Sequence, residues 1–187
     1  MPAIAPEMNL SETTFLLPKD VLADRVAFAA MLGLQTDDLL AAKPVQMGGR
    51  QIPFLYVPLR DRATVGRAAL DTALFVRAVG AVQACTIGVF VFAPDRAFER
   101  ESRVYSRMFA PLEGIAEDPA TGSASGPLGL YLVEHGIVPD AQDVHSVSEQ
   151  GTKMGRQSFI HVRVSQNGSG SRLGGSAVEV LRGTLTL

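Results

Sequence analysis

Residues 106–132 read Ser106-Arg-Met-Phe-Ala-Pro-Leu-Glu-Gly-Ile-Ala-Glu-Asp-Pro-Ala-Thr-Gly-Ser-Ala-Ser-Gly-Pro-Leu-Gly-Leu-Tyr-Leu132, a strand that runs through a loop into a helix. At the centre stands Asp118-Pro-Ala-Thr-Gly-Ser-Ala124, small and hydroxyl residues ahead of an amphipathic segment with Leu128, Tyr131, Leu132 and His135 at helical spacing. Small residues let a ligand approach the backbone, and the free N–H groups of a helix's first turn then face it. The stretch therefore reads as an anion pocket.

Outward from this stretch the pattern is α+β, with sheet predominating. Upstream, the unbroken apolar run Cys85 to Phe92 and the segment Val104 to Ala110 read as strands, with a charged loop from Asp95 to Glu101 between them. A single helix is expected over Arg62 to Gly80, because Val65, Ala68, Ala69, Thr72, Phe75, Val76 and Val79 share one face. Pro44 to Gly49 and Gln51 to Pro58 suggest two strands joined at Gly48-Gly49, with Pro53 and Pro58 placing the second at an edge or marking strand ends. Helical patterns cover Asp20 to Gly33, with Asp20 as N-cap, and Asp37 to Ala42. Met1 to Asn9 reads as the tail of a helix, and the segment ending at Leu17 as a short strand with Glu12 at its entrance. Downstream of the central helix, strands are expected over Val144 to Gln150, Ser158 to Gln166 and Ala177 to Leu187, with a loose Gly/Ser connection through residues 167–175.

Composition narrows the function. The chain has 187 residues, of which 47% are hydrophobic, enough for a substantial core. A net charge of −2 offers no broad basic field, so neither nucleic acid nor an anionic membrane is an expected partner. No run approaches a membrane span and no leader pattern opens the chain, so a cytoplasmic protein is expected. The lone Cys85 excludes an internal disulfide, and the spacing of His135, His145 and His161 matches no local metal motif, so no metal is expected.

Five motifs in order resemble the PhzF-like phenazine-biosynthesis proteins. They are Met8-Asn-Leu-Ser-Glu-Thr-Thr-Phe15, Arg107-Met-Phe-Ala-Pro111, Gly114-Ile-Ala-Glu-Asp-Pro-Ala-Thr-Gly-Ser-Ala124, Gly151-Thr-Lys-Met-Gly-Arg-Gln-Ser158, and the Gly174-Gly-Ser-Ala to Leu185 segment. The resemblance implies the diaminopimelate-epimerase-like fold, two α+β halves, each a curved, mostly antiparallel sheet wrapped around a central helix, with the site between them. It implies Glu12 and Asp118 as catalytic acid/base groups, and Gly122, Ser123 and Ala124 as the backbone and hydroxyl that hold a substrate carboxylate. It implies no cofactor, since carboxylates can move a proton unaided. From the residues alone, Glu12 also reads as an exposed or capping carboxylate and Asp118 as the N-cap of the central helix. Arg107 and Arg156 read as surface arginines.

The resemblance is incomplete. The family's opening strand, its Gly-Asn-Pro loop and its Gly-His-Pro motif have no counterpart here. Residues 1–34 are therefore expected to be the remnant of the N-terminal half-domain, and residues 35–187 the C-terminal half-domain with its central helix near 122–135. A half without its strands leaves apolar surface to cover, so a homodimer or larger assembly is expected. Two functions stay open: a PhzF-like isomerase or epimerase acting on a small unsaturated or cyclic carboxylic acid, or a non-catalytic small-anion binding protein or structural remnant that has lost part of its site.

Overall fold

The computed structural model describes residues 8–11, 23–49, 53–81, 86–95, 102–138, 143–165, 170–176 and 183–184. Period-2 alternation builds its middle. In β3 (Phe54–Pro58), β4 (Gly88–Asp95) and β5 (Ser102–Ala110), the residues Leu55, Val57, Val89, Val91, Ala93, Tyr105 and Phe109 point to one face. Phe54, Tyr56, Phe90, Phe92, Val104, Met108 and Ala110 point to the other. Both faces are buried, which is why these strands read as continuous apolar runs.

The first face is covered by α1 (Arg25–Ala30), α2 (Arg62–Arg67) and α3 (Thr72–Ala81), through Phe28, Met31, Leu32, Val65 and Phe75. The second packs on the central helix α4 (Gly122–Glu134). Strands β7 (Asp143–Gln150), β8 (Ser158–Ser165) and β9 (Gly170–Gly174) extend that inner face with Val144, Ile160, Val162, Val164 and Leu173. The sheet thus curls around α4 as an α+β half-barrel. Its order is β1-β9-β8-β7-β5-β4-β3-β2, with β1 (Met8–Ser11) and β2 (Gln46–Gly48) at the two ends and β6 (Ile115–Asp118) paired to β5. Most pairings are antiparallel; β3–β4 and β5–β7 are parallel, and the crossovers between them carry α2–α3 and α4.

Several elements differ from the sequence reading, each for a local reason. The expected helix over 62–80 is broken at residues 68–71. There Ala69 and Asp71 donate their backbone N–H groups to Leu32 and Met31, and Asp71 Oδ1 accepts from the Leu74 N–H to start α3. Helix α1 begins at Arg25 behind Asp24, whose side chain accepts from the Ala27 N–H; Asp20 lies outside the described residues. Residues 36–38 form a 3-10 turn rather than a longer helix. Strand β3 is interior, since β2 covers its outer side. Met8 and Asn9 belong to a strand paired with β9, not to a helix tail. Strand β9 itself lies within the segment read as a loose connection, while most of the strand expected over 177–187, together with Cys85, lies outside the described residues.

Helix α4 and strand β8 approach closely at Gly129. A Cβ there would sit 2.6 Å from Val162 Cγ1 and 3.0 Å from Val164 Cγ2. Gly129→Ala is expected to overpack this contact and lower stability by about 1–3 kcal/mol. Urea unfolding measures it; an unchanged or raised midpoint would show that α4 and β8 are less closely seated than described.

Candidate active site at the head of the central helix

Strand β6 ends at Asp118, opposite Met108 of β5, and the chain turns through Pro119 and Ala120 into α4. The N-cap of α4 is Thr121, not Asp118, and its hydroxyl does not cap the helix. Instead Thr121 Oγ1 donates to Asp118 Oδ2 at 2.5 Å. The same hydroxyl accepts from Gln150 Nε2 at 2.9 Å. Gln150, fully buried at the end of β7, also donates to the Asp118 carbonyl (2.6 Å) and accepts from the Thr121 N–H (3.1 Å). Its amide thereby clamps the loop at both ends. Among the described residues, no protein group accepts from the backbone N–H groups of Gly122, Ser123 or Ala124. They are the unpaired donors of a helix's first turn, carrying its partial positive charge beside the Asp118 carboxylate.

The expected site residues are therefore distributed as follows. Asp118 and Gly122 are half-buried and Ser123 is exposed, so these three sit at one accessible corner. Ala124 is wholly buried; its side chain belongs to the core and its carbonyl accepts from Tyr56 Oη at 2.7 Å, which leaves only its N–H to face a ligand. Glu12 lies outside the described residues.

Ion pairs support this corner from the far side of the sheet. Arg107 is buried rather than on the surface: it pairs bidentately with Glu117 (2.9 and 2.7 Å) and donates to the carbonyls of Val65 and Ala68 at the end of α2. Arg156 is exposed. Glu149, next to Gln150 but on the opposite face, accepts from Arg62 at 2.6 and 2.9 Å, from Thr152 Oγ1 and from Gln157 Nε2. The bonds from Arg62 above all hold Glu149 at a pKa of about 2, against the burial that opposes ionisation. Gly151 follows at φ +76°, and a Cβ there would meet the carbonyls of Arg156 at 2.3 Å and Pro119 at 2.7 Å. Only glycine fits between the two loops.

Sequence reading missed Gln150, Thr121, Gly151 and the Arg62–Glu149 pair. The available signal was a polar residue at an inward position of β7: Val144, Ser146, Ser148 and Gln150 share one face, and Gln150 immediately precedes a glycine. Among the described residues no three metal-ligating side chains come together.

A curled sheet around one buried helix, with an anion-type corner at the helix head, is the half-barrel of PhzF and diaminopimelate-epimerase-like proteins. Two solved structures share it. A predicted epimerase from Pseudomonas aeruginosa aligns over 91% of this chain and 54% of its own, with a TM-score of 0.69 and 29% identity. The PhzF-family phenazine biosynthesis protein of Bacillus anthracis aligns over 91% and 56%, with a TM-score of 0.76 and 20% identity, a likeness of fold. The family model described as phenazine biosynthesis-like protein matches residues 20–183. The chain belongs to this PhzC-PhzF family. Among curated relatives, the uncharacterized isomerase YddE of Escherichia coli (strain K12) is 32% identical over 142 residues, 75% of this chain and 46% of that protein. The trans-2,3-dihydro-3-hydroxyanthranilate isomerase of Pseudomonas aeruginosa is 45% identical over 75 residues, 40% of this chain and 25% of its own length. The chain thus spans half or less of the curated relatives' length.

The Glu149 pair gives a pH signature. A carboxylate whose folded pKa is depressed contributes stability that is complete above its unfolded pKa, near 4.5, and is lost as pH falls towards about 2. Thermal melts should fall more steeply across that window for the parent chain than for Glu149→Gln, which starts lower at neutral pH. Parallel curves would mean that Glu149 is not held ionised by Arg62.

Proposed function

We propose that this chain supplies the C-terminal side of an isomerase-type site that moves a proton on a small unsaturated or cyclic carboxylic acid. The single observation that supports it is the diversion of the Thr121 hydroxyl onto Asp118, which leaves the Gly122, Ser123 and Ala124 amides open beside a carboxylate. In the proposed reaction the amides hold the substrate carboxylate. A protein carboxylate takes a proton from a neighbouring carbon, the electron pair spreads towards the held carboxylate, and a proton returns to a different carbon. Composition is unchanged, as an isomerisation requires. Asp118 is proposed for one end of this transfer and Glu12 for the other.

Residues 1–34 and 35–187 are proposed to descend from the two halves of the longer relatives, a division of ancestry, since Phe28 to Leu34 pack into the same layer as Leu55 and Val57. A homodimer is proposed to complete the site, with β1 and β2, the end strands of the sheet among the described residues, as its pairing surfaces. No described helix is long and apolar enough to cross a membrane, and a cytoplasmic location is proposed. The second reading, an anion-binding protein without turnover, draws on the chain spanning less than half of YddE.

The probe is trans-2,3-dihydro-3-hydroxyanthranilate in deuterated buffer, with deuterium uptake and isomerisation followed by NMR. Turnover is expected in the parent chain, with losses of roughly 10²–10⁴-fold in Asp118→Asn and Glu12→Gln, while calorimetric binding persists in Glu12→Gln. Binding without turnover in the parent chain would favour the second reading, and undiminished binding in Ser123→Trp would remove the helix head from both. Light scattering showing a stable monomer at micromolar concentration would remove the dimer.

A further inference from the structure

The polar partners of Gln150 leave only one way to place its hydrogens. Its Oε1 meets the Thr121 N–H, which can only donate, and its Nε2 meets the Asp118 carbonyl, which can only accept. The amide orientation is therefore fixed, and Nε2 gives its second hydrogen to Thr121 Oγ1. That hydroxyl has a single hydrogen of its own, which goes to Asp118 Oδ2. Donation thus runs one way, from the Gln150 amide through the Thr121 hydroxyl to one oxygen of the carboxylate. Thr121 cannot turn away from this arrangement, because its carbonyl accepts from both the N–H and the hydroxyl of Ser125. Gln150 and Thr121 are buried and Asp118 is half-buried, so the chain of donors starts in the core and ends at the accessible corner.

The two oxygens of Asp118 are thereby made unequal. Oδ2 has its hydroxyl donor, whereas among the described residues no group donates to Oδ1. An oxygen that accepts a charge-assisted hydrogen bond loses much of that bond when it is protonated, so an incoming proton is better placed on the other oxygen. We propose that Gln150 is a positioning residue of the site, holding Asp118 through Thr121 so that Oδ1 is the oxygen that carries the proton. This rests on the isomerase reading given above. At Asp118 a substrate C–H bond breaks, its electron pair stays on the substrate and spreads towards the carboxylate held by the helix amides, and the proton forms an O–H bond at Oδ1. A proton delivered to a different carbon from the Glu12 end keeps the substrate's composition unchanged, and exchange with water restores both carboxyl groups. Neither Gln150 nor Thr121 exchanges a proton with the substrate, so their loss acts on turnover rather than on binding.

Isomerisation of trans-2,3-dihydro-3-hydroxyanthranilate, calorimetry with benzoate and NMR of the Thr121 hydroxyl proton test the proposal together. Thr121→Val keeps the shape of the side chain and removes the hydroxyl. Its kcat is expected to fall about 10–100-fold, with KM and benzoate affinity nearly unchanged. Thr121→Ser returns the hydroxyl and should restore most of the lost kcat. Gln150→Leu should lower kcat at least as far, and should release to rapid exchange a Thr121 hydroxyl proton that the parent chain shields from water. If Gln150→Leu does not fold, Thr121→Val carries the same test, since it leaves the Gln150 bonds to the Asp118 carbonyl and to the backbone N–H of residue 121 in place. The positioning role is overturned by full kcat in Thr121→Val, by a loss there that falls on KM and benzoate affinity instead, or by a Thr121 hydroxyl that already exchanges freely in an active parent chain. Absence of turnover in the parent chain overturns the isomerase reading itself, and the assignment of Oδ1 with it.

Discussion

Helix α4 cannot exist in water on its own terms. Nine consecutive residues, Ala124 to Leu132, are buried, so no face is left over for solvent. A helix apolar all round must be surrounded, and a flat sheet covers only one side. The curl of β7, β8 and β9 around α4 follows from that demand, as does Gly129, whose missing side chain lets the helix settle against Val162 and Val164. The helix head then emerges where β6 and β7 end. The site owes its place to the packing.

Two adjacent residues of β7 hold that corner from opposite sides. Gln150 points inward and satisfies the loop from Asp118 to Thr121; Glu149 points outward and pairs with Arg62, at the start of α2. A strand's alternation thereby ties one chain position to both helical layers. Buried polar groups of this kind are costly when only partly satisfied, because an orphaned amide or charge loses its water without replacement. Here the Gln150 amide finds three bonds, and the hydroxyl of Thr121, drawn into the same network, is withheld from the helix it would otherwise cap. Stability of the loop and availability of the first-turn amides are two outcomes of one arrangement.

The fold class and the central motif were legible because they are written locally. The apolar runs around Val89 to Phe92 and Val104 to Ala110, and the loop before Gly122, carry their structure in composition and spacing. Burial of α4 on every side was not legible, since periodicity in Leu128, Tyr131 and Leu132 marks one face and cannot report what closes over the others. The break at residues 68–71 depends on carbonyls of Met31 and Leu32, which are distant in sequence. Gln150 and Arg107 likewise acquire meaning only through register, which sets strands far apart in the chain side by side. Asp118, read as part of a loop and as a possible cap, ends strand β6, and its carboxylate accepts from the Thr121 hydroxyl rather than from a first-turn N–H of α4.

On this reading the head of α4 receives a small carboxylate. Titrating the ¹⁵N-labelled protein with benzoate and following its amide resonances tests this most directly. The Gly122, Ser123 and Ala124 amides are expected to shift first and furthest, saturating together. Shifts confined to other parts of the chain, with these three unmoved, would contradict it.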